Sequence, residues 1–210
     1  ILEDEKQREE LMVPVRQHGI LLDIAAGMTY LYSRGVEHRD LKSANCLVTH
    51  DWRVKISDFG LSNTTDAISN GSTSMVSSFR GGTLIYMAPE LVLGEGSADA
   101  SVPAELSDVF SFGVIMWEIL CGNGERPWAH ISMNQLPKKL REKKRLIITT
   151  TCNVIYRILM GKCWRESPHR RPTFEAIHST LKEGSMSAQG PAPSGPPPIA
   201  TATPSQQQRK

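Results

Sequence analysis

The sequence predicts a mainly α-helical domain that carries one short β-hairpin and ends in a disordered tail, and three observations carry that expectation. Between Arg16 and Tyr32, apolar residues recur at Ile20, Ile24, Met28 and Leu31, one face of a 3.6-residue period, and Gly35 stands where such a helix stops. Leu106 to Cys121 is apolar around most of its circumference, the pattern of a helix buried on all sides. Cys46 to Thr49 and Arg53 to Ile56 are short β-prone runs separated by His50-Asp51-Trp52, which predicts a hairpin.

The other elements follow in order. Ile1 to Met12 is charged and predicts a solvent-facing helix broken near Pro14. Val154 to Trp164 predicts a helix with apolar Ile155, Ile158 and Leu159, and Phe174 to Leu181 a final one ahead of Gly184. From Gly184 the composition turns to Pro, Ser, Ala and Gln, with too little apolar surface to offset the cost of ordering it. The expected boundaries are therefore a domain over residues 1–183 and a disordered tail over 184–210. Pro193 to Pro196 fits a P-x-x-P ligand, so a proline-motif-binding partner is open beside the simpler reading of a passive tail.

Composition bounds the function classes. With 210 residues, 40% hydrophobic and 22% charged, the chain can bury one sizeable core. A net charge of +2 is too small to argue for nucleic acid or an anionic membrane as the main partner. Lys138 to Arg145 holds six basic residues in eight, a nuclear-signal or acidic-partner pattern that also suits a solvated helix face, and the face is the expectation. Cys46, Cys121, Cys152 and Cys163 form no C-x-x-C pair and read as free thiols. No secretory leader pattern is visible, and the longest apolar run, Val109 to Cys121, is shorter than the ~20 residues of a bilayer span. A cytoplasmic location is the expectation.

The chemistry is concentrated in His38-Arg39-Asp40-Leu41-Lys42-Ser43-Ala44-Asn45 and, thirteen residues after Asn45, in Asp58-Phe59-Gly60. One carboxylate, Asp40, one ammonium, Lys42, and one amide, Asn45, share a short loop. A second carboxylate, Asp58, stands beyond the hairpin, which would set Asn45 at one end and Asp58 at the other so that their oxygens converge on one cation. A group to deprotonate a hydroxyl, together with oxygen ligands for magnesium, meets the needs of phosphoryl transfer.

The loop resembles the protein kinase family, matching H-R-D-L-x-x-x-N residue for residue ahead of an intact D-F-G. Met87-Ala88-Pro89-Glu90, Ser107-Asp108-Val109-Phe110-Ser111-Phe112-Gly113 and Arg171-Pro172 are similar to later landmarks of that family in the same order. The resemblance implies the large lobe of a kinase fold, acting on ATP, Mg2+ and a protein substrate. Asp40 would accept the proton of the substrate hydroxyl, and Lys42 would sit beside the transferring phosphate. Asn45 and Asp58 would hold the metal, and Leu47 would lie under the adenine ring. Spacing alone would make Asp108 a helix cap; the resemblance implies instead that it ties the buried helix to the catalytic loop backbone. Glu90 and Arg171 would form a structural ion pair, and His38 and Phe59, with Gly60 after them, would pack beside Asp108 as an internal stack.

Asn63 to Ser78 is rich in Ser, Thr, Asn and Gly and reads as a polar surface loop or, by resemblance, as a phosphorylation-controlled activation segment. Its candidate acceptors are Thr64, Thr65, Ser72, Thr73, Ser74, Ser77 and Ser78, with Arg39 as the cation that would receive the phosphate. Gly94 to Val102 looks like a loop insertion. Lys42 and Thr83, which would contact Asp40 and Lys42, point to Ser or Thr as the acceptor, and the ensemble is most similar to the tyrosine-kinase-like group of serine/threonine kinases. Glu37 departs from the apolar residue usual before the histidine. No glycine-rich turn, V-A-I-K-type lysine or partner glutamate occurs, so the resemblance covers residues 1–183 and the large lobe alone, with the small β-rich lobe absent; by itself such a lobe should bind ATP weakly and turn over negligibly.

Overall fold

The computed structural model describes residues 9–59, 82–94 and 102–188, with side chains as far as residue 184. Its elements are α1 (Pro14–Ser33), β1 (Cys46–Val48), β2 (Val54–Ile56), α2 (Pro89–Leu93), α3 (Ala104–Leu120), α4 (Leu136–Arg141), α5 (Val154–Cys163) and α6 (Phe174–Ala188). Single 3-10 turns stand at Ser43–Asn45, Leu84–Tyr86, Met133–Gln135 and Pro168–Arg170. Of the predicted N-terminal helix, residues 1–8 lie outside the described residues, and residues 9–11 are helical.

α1 starts with Pro14 in its first turn, where the missing amide hydrogen costs nothing, and buries Ile20, Leu21, Ile24, Ala25, Met28 and Leu31 on one face. Gly35 follows it with φ 70°, a left-handed conformation that glycine adopts without strain. α3 buries twelve consecutive residues, Leu106 to Trp117, so it is the axis around which α1, α5 and the turn at Leu84–Tyr86 pack. Phe174 of α6 stacks on Tyr32 of α1 at 6.0 Å and meets Phe112 of α3 edge-on at 5.8 Å, which locks three helices through one aromatic cluster. α6 is seated on α3 by the Phe174 amide donating to Glu105 Oε1 at 2.8 Å.

Where α3 meets α5 the packing leaves no room for a methyl group. A Cβ on Gly113 would lie 2.5 Å from Trp164 Nε1 and 2.9 Å from Cys163 Cβ. Gly113→Ala should therefore lower stability by about 1–3 kcal/mol through overpacking, read as a lower urea midpoint at unchanged denaturant slope.

The two strands pair antiparallel in the register Cys46↔Ile56, Leu47↔Lys55, Val48↔Val54. The hairpin is held on α1 by Asp23, whose carboxylate accepts from Arg53 Nε (2.7 Å), Arg53 Nη2 (3.0 Å) and the Val54 amide (3.0 Å).

Four expectations change. The final helix does not stop ahead of Gly184 but runs to Ala188, because a lone glycine lowers helix propensity by only about 1 kcal/mol while residues on either side still favour the helix. In α5 the inward positions are Leu159, Met160 and Cys163, while Ile155 and Ile158 are 39% and 54% exposed, since only one face of the helix meets α3. The basic run is a helix face only as far as Arg141: Lys143 has φ 58°, which no helix continues through, and residues 145–149 have no regular structure. Phe59 is 45% exposed and is no member of an internal stack, because no described element covers it.

The four cysteines are unbridged, and burial pushes the Cys46 and Cys163 thiols up to about 12, which keeps them protonated at neutral pH. Among the described residues no helix is long and apolar enough to cross a membrane.

Candidate active site

The hairpin is the positioning device. Beyond its last strand pair the Ser57 amide donates to the Asn45 carbonyl at 2.9 Å, so Asn45 and Asp58 stand at the same end although they are distant in sequence. Asp58 has φ 58°, and Arg39, beside Asp40, has φ 64°. Left-handed backbone is uncommon away from glycine and persists only where the surroundings enforce it.

For Arg39 the enforcing contact is Asp108. Asp108 is not the helix cap, a place taken by Pro103; it sits inside α3, 2% exposed, with Oδ2 accepting from the Arg39 amide at 3.0 Å and from the Tyr32 hydroxyl at 2.5 Å. Burial pushes its carboxyl up, against those two hydrogen bonds and nearby His38, which favour the ionised form. His38 is fully buried, and its Nδ1 accepts from the Asp40 amide at 3.3 Å. That contact leaves the proton on Nε2, which donates to the Ser57 carbonyl at 3.1 Å and so links the loop before Asp40 to the segment before Asp58. The Arg39 side chain lies outward, its Nε 2.7 Å from Glu37 Oε2, so the residue that departs from the family pattern engages the cation proposed to receive a phosphate.

Within the loop, Lys42 Nζ bridges Asp40 Oδ2 at 2.5 Å and Thr83 Oγ1 at 3.1 Å; Thr83 thus meets Asp40 through the ammonium. Asn45 is 5% exposed and donates its amide nitrogen to the Asp40 carbonyl at 2.9 Å, an assignment that leaves the amide oxygen as its acceptor. Among the described residues, Asp40 Oδ1 is buried with no hydrogen-bond partner. Asp58 is exposed, with Oδ2 accepting from Ser57 Oγ at 3.2 Å, and Leu47 on β1 is 53% exposed on the same hairpin.

Away from the loop, Glu90 and Arg171 form a two-pronged ion pair, Nη1–Oε1 2.6 Å and Nη2–Oε2 2.8 Å. Thr64, Thr65, Ser72, Thr73, Ser74, Ser77, Ser78 and Gly60 lie outside the described residues.

The sequence reading passed over a second set of polar contacts. Ser43 Oγ lies 2.6 Å from the Tyr86 hydroxyl, which itself donates to Glu118 Oε2 at 3.0 Å, so the two hydroxyls and the carboxylate form one chain of polar contacts. Burial pushes Glu118 up while the hydroxyls of Ser43 and Tyr86 oppose it. The available signal was Glu118 itself, the carboxylate in the apolar second half of α3, where a charge drawn out of water calls for a partner. Tyr32, which braces Asp108, had no such signal.

Comparison with known proteins now settles the family. The family described as protein tyrosine and serine/threonine kinase matches residues 4–181. The chain belongs to this kinase family. It is 36% identical over 180 residues to a probable LIM domain-containing serine/threonine-protein kinase of Dictyostelium discoideum, covering 86% of this chain and 17% of the relative. It is 38% identical over 157 residues to mitogen-activated protein kinase kinase kinase 12 of Rattus norvegicus (74% and 16%), and 37% identical over 179 residues to serine/threonine-protein kinase CTR1 of Arabidopsis thaliana (84% and 20%). These are serine/threonine kinases of the tyrosine-kinase-like type. The chain spans about a fifth of the length of the kinases it matches, and its mostly helical architecture with one two-stranded sheet is that of a kinase large lobe.

Proposed function

We propose that this chain supplies the large-lobe half of a serine/threonine protein kinase, which transfers the terminal phosphoryl group of ATP to a hydroxyl on a protein substrate. The observation that carries the reading is the division of Asp40: Oδ2 is held by Lys42, whereas Oδ1 is buried and has no partner among the described residues, the arrangement of a carboxylate awaiting a hydroxyl proton. A buried acceptor without a donor is costly, and an incoming hydroxyl would relieve that cost.

Lys42 and Thr83 would fix the orientation of Asp40 and set a cation beside the reacting oxygens. The Asn45 amide oxygen and the Asp58 carboxylate suit magnesium, a hard cation that favours oxygen ligands and keeps waters and phosphates in its shell, so a two-residue site is enough. Magnesium, when bound, would neutralise charge on the phosphates. Leu47 would offer an apolar floor to the adenine ring, and the glycine-rich loop and phosphate-binding lysine would come from outside these 210 residues. Arg39 would receive a phosphate on the segment around Thr64, Thr65, Ser77 and Ser78 in competition with Glu37. The unbridged cysteines support a cytoplasmic setting, and the domain is read as residues 1–183 with a tail thereafter.

The test uses the full-length protein with Mg-ATP and peptides offering serine, threonine or tyrosine alone. Serine or threonine labelling is expected, and labelling confined to tyrosine would overturn the acceptor assignment. Absence of labelling from all three, with an unchanged result for Asp58→Asn, would leave a lobe that binds partners without catalysis.

A further inference from the structure

Two basic stretches that are separate in sequence share one face. The first, Lys138 to Arg145, spans the end of α4 and the turn after it; the second, residues 162–170, contributes Lys162, Arg165 and Arg170. Arg145 joins them, with Nε donating to the Trp164 carbonyl at 3.1 Å and Nη2 paired with Glu166 at 2.7 Å. Together the stretches hold nine lysines and arginines against two carboxylates, Glu142 and Glu166, in a chain whose net charge is +2. Lys138, Lys143, Lys144, Arg165 and Arg170 are exposed and meet no carboxylate among the described residues.

The face also has shape. Arg165 is braced by donating from Nη1 to the Arg170 carbonyl at 2.6 Å, and Arg165, Glu166, Ser167 and Arg170 line an open pocket of about 400 Å3. Ile147, two residues beyond Arg145, is 84% exposed, in a segment pinned by Trp117 Nε1 donating to its carbonyl at 2.7 Å. α4 packs on α2, which begins three residues after the Leu84–Tyr86 turn, and Arg171, next to Arg170, clasps Glu90 of α2. The basic face thus adjoins α2 and the Glu90–Arg171 pair, close in the chain to the turn that follows Thr83.

We propose that this face docks an acidic segment of the kinase's protein substrate, separate from the residue that is phosphorylated. The proposal rests on the kinase reading for the identity of the partner as a substrate. Glu142 and Glu166 interrupt the cations where a phosphodiester backbone would need a continuous track, and the indole of Trp164 is buried and offers no base a stacking surface. A membrane surface would need an apolar helix face, but Leu136 and Leu140 of α4 point inward. Spaced carboxylates with one apolar side chain for Ile147 match what is exposed.

Fluorescence anisotropy of the full-length protein, without ATP, with a labelled peptide of about twelve residues rich in Asp and Glu around one Leu, tests the assignment. Binding should weaken as salt rises from about 50 to 200 mM, and K143E/K144E/R165E/R170E should weaken it at least about tenfold at an unchanged urea midpoint. Should that variant fail to fold, R165Q/R170Q carries the test with an expected loss of about threefold. The specificity constant for a substrate bearing the acidic segment should fall in parallel, while that for a short substrate lacking it stays constant. No binding by the parent protein, equal binding by a folded charge-reversal variant, or tighter binding to RNA of matched charge or to phosphatidylserine vesicles would each overturn the proposal. Charge-dependent binding in a protein that transfers no phosphate would sink the kinase reading and leave the acidic-peptide site standing.

Discussion

Asp40→Asn in the full-length kinase should lower kcat/KM for a protein substrate by about a hundredfold to ten-thousandfold, the range lost when a positioned general base is removed. The substitution is nearly isosteric. It keeps an oxygen for Lys42 and leaves untouched the Asp40 amide and carbonyl, which bond His38 and Asn45 through the backbone. What it removes is the negative charge on a carboxylate whose second oxygen is buried without a partner among the described residues. The unfolding midpoint should therefore change little, and a buried amide nitrogen in place of Oδ1 has no acceptor there, so any small change is destabilising. Turnover and thermal unfolding of the same preparation check both halves; unaltered turnover would remove Asp40 from its proposed role.

The largest loss of stability is expected from Arg171→Ala, about 3–5 kcal/mol, because it strands a carboxylate in the interior. The Arg171 side chain is fully buried and Glu90 is 11% exposed. Besides both oxygens of Glu90, the guanidinium donates to the carbonyls of Arg165 (3.0 Å) and Leu106 (2.9 Å) and lies 5.3 Å from the Phe110 ring centroid, so one cation satisfies acceptors from three parts of the chain. After its removal the partner left to Glu90 among the described residues is the Ser107 hydroxyl, at 2.9 Å. Removing both charges, as in Glu90→Gln with Arg171→Met, should recover part of the loss, since the dominant penalty is the unpaired charge rather than the missing pair. Urea unfolding of the single and double variants measures this, and equal losses for the two would show that the charge is not what matters.

Both predictions involve residues that were legible as letters but not as contacts. The H-R-D-L-x-x-x-N and D-F-G strings and the turn signals around the hairpin are local, and nothing beyond their own order is needed to read them. That Lys42 reaches Thr83, forty-one residues on, or that Arg171 reaches Glu90 eighty-one residues back, depends on how the Leu84–Tyr86 turn, α2 and α3 stack. The Tyr86–Glu118 contact and the Tyr32 brace on Asp108 went unread for the same reason. Tyrosine is equally at home in a core and at a surface, and only packing decides where its hydroxyl ends. Phe59 failed the other way: an aromatic residue reads as core, yet burial requires a covering element, and the described residues supply none.

By itself, then, the order of residues determined the helical architecture, the hairpin and the family, because helical period, turn chemistry and motif spacing are properties of short stretches. The tertiary structure alone decided which oxygen of Asp40 is left without a donor, that α6 runs on through Gly184, and that basic stretches from α4 and from the segment before α6 form one face. These depend on desolvation and on contacts across distant parts of the chain, whose free energy exists only once the core has closed.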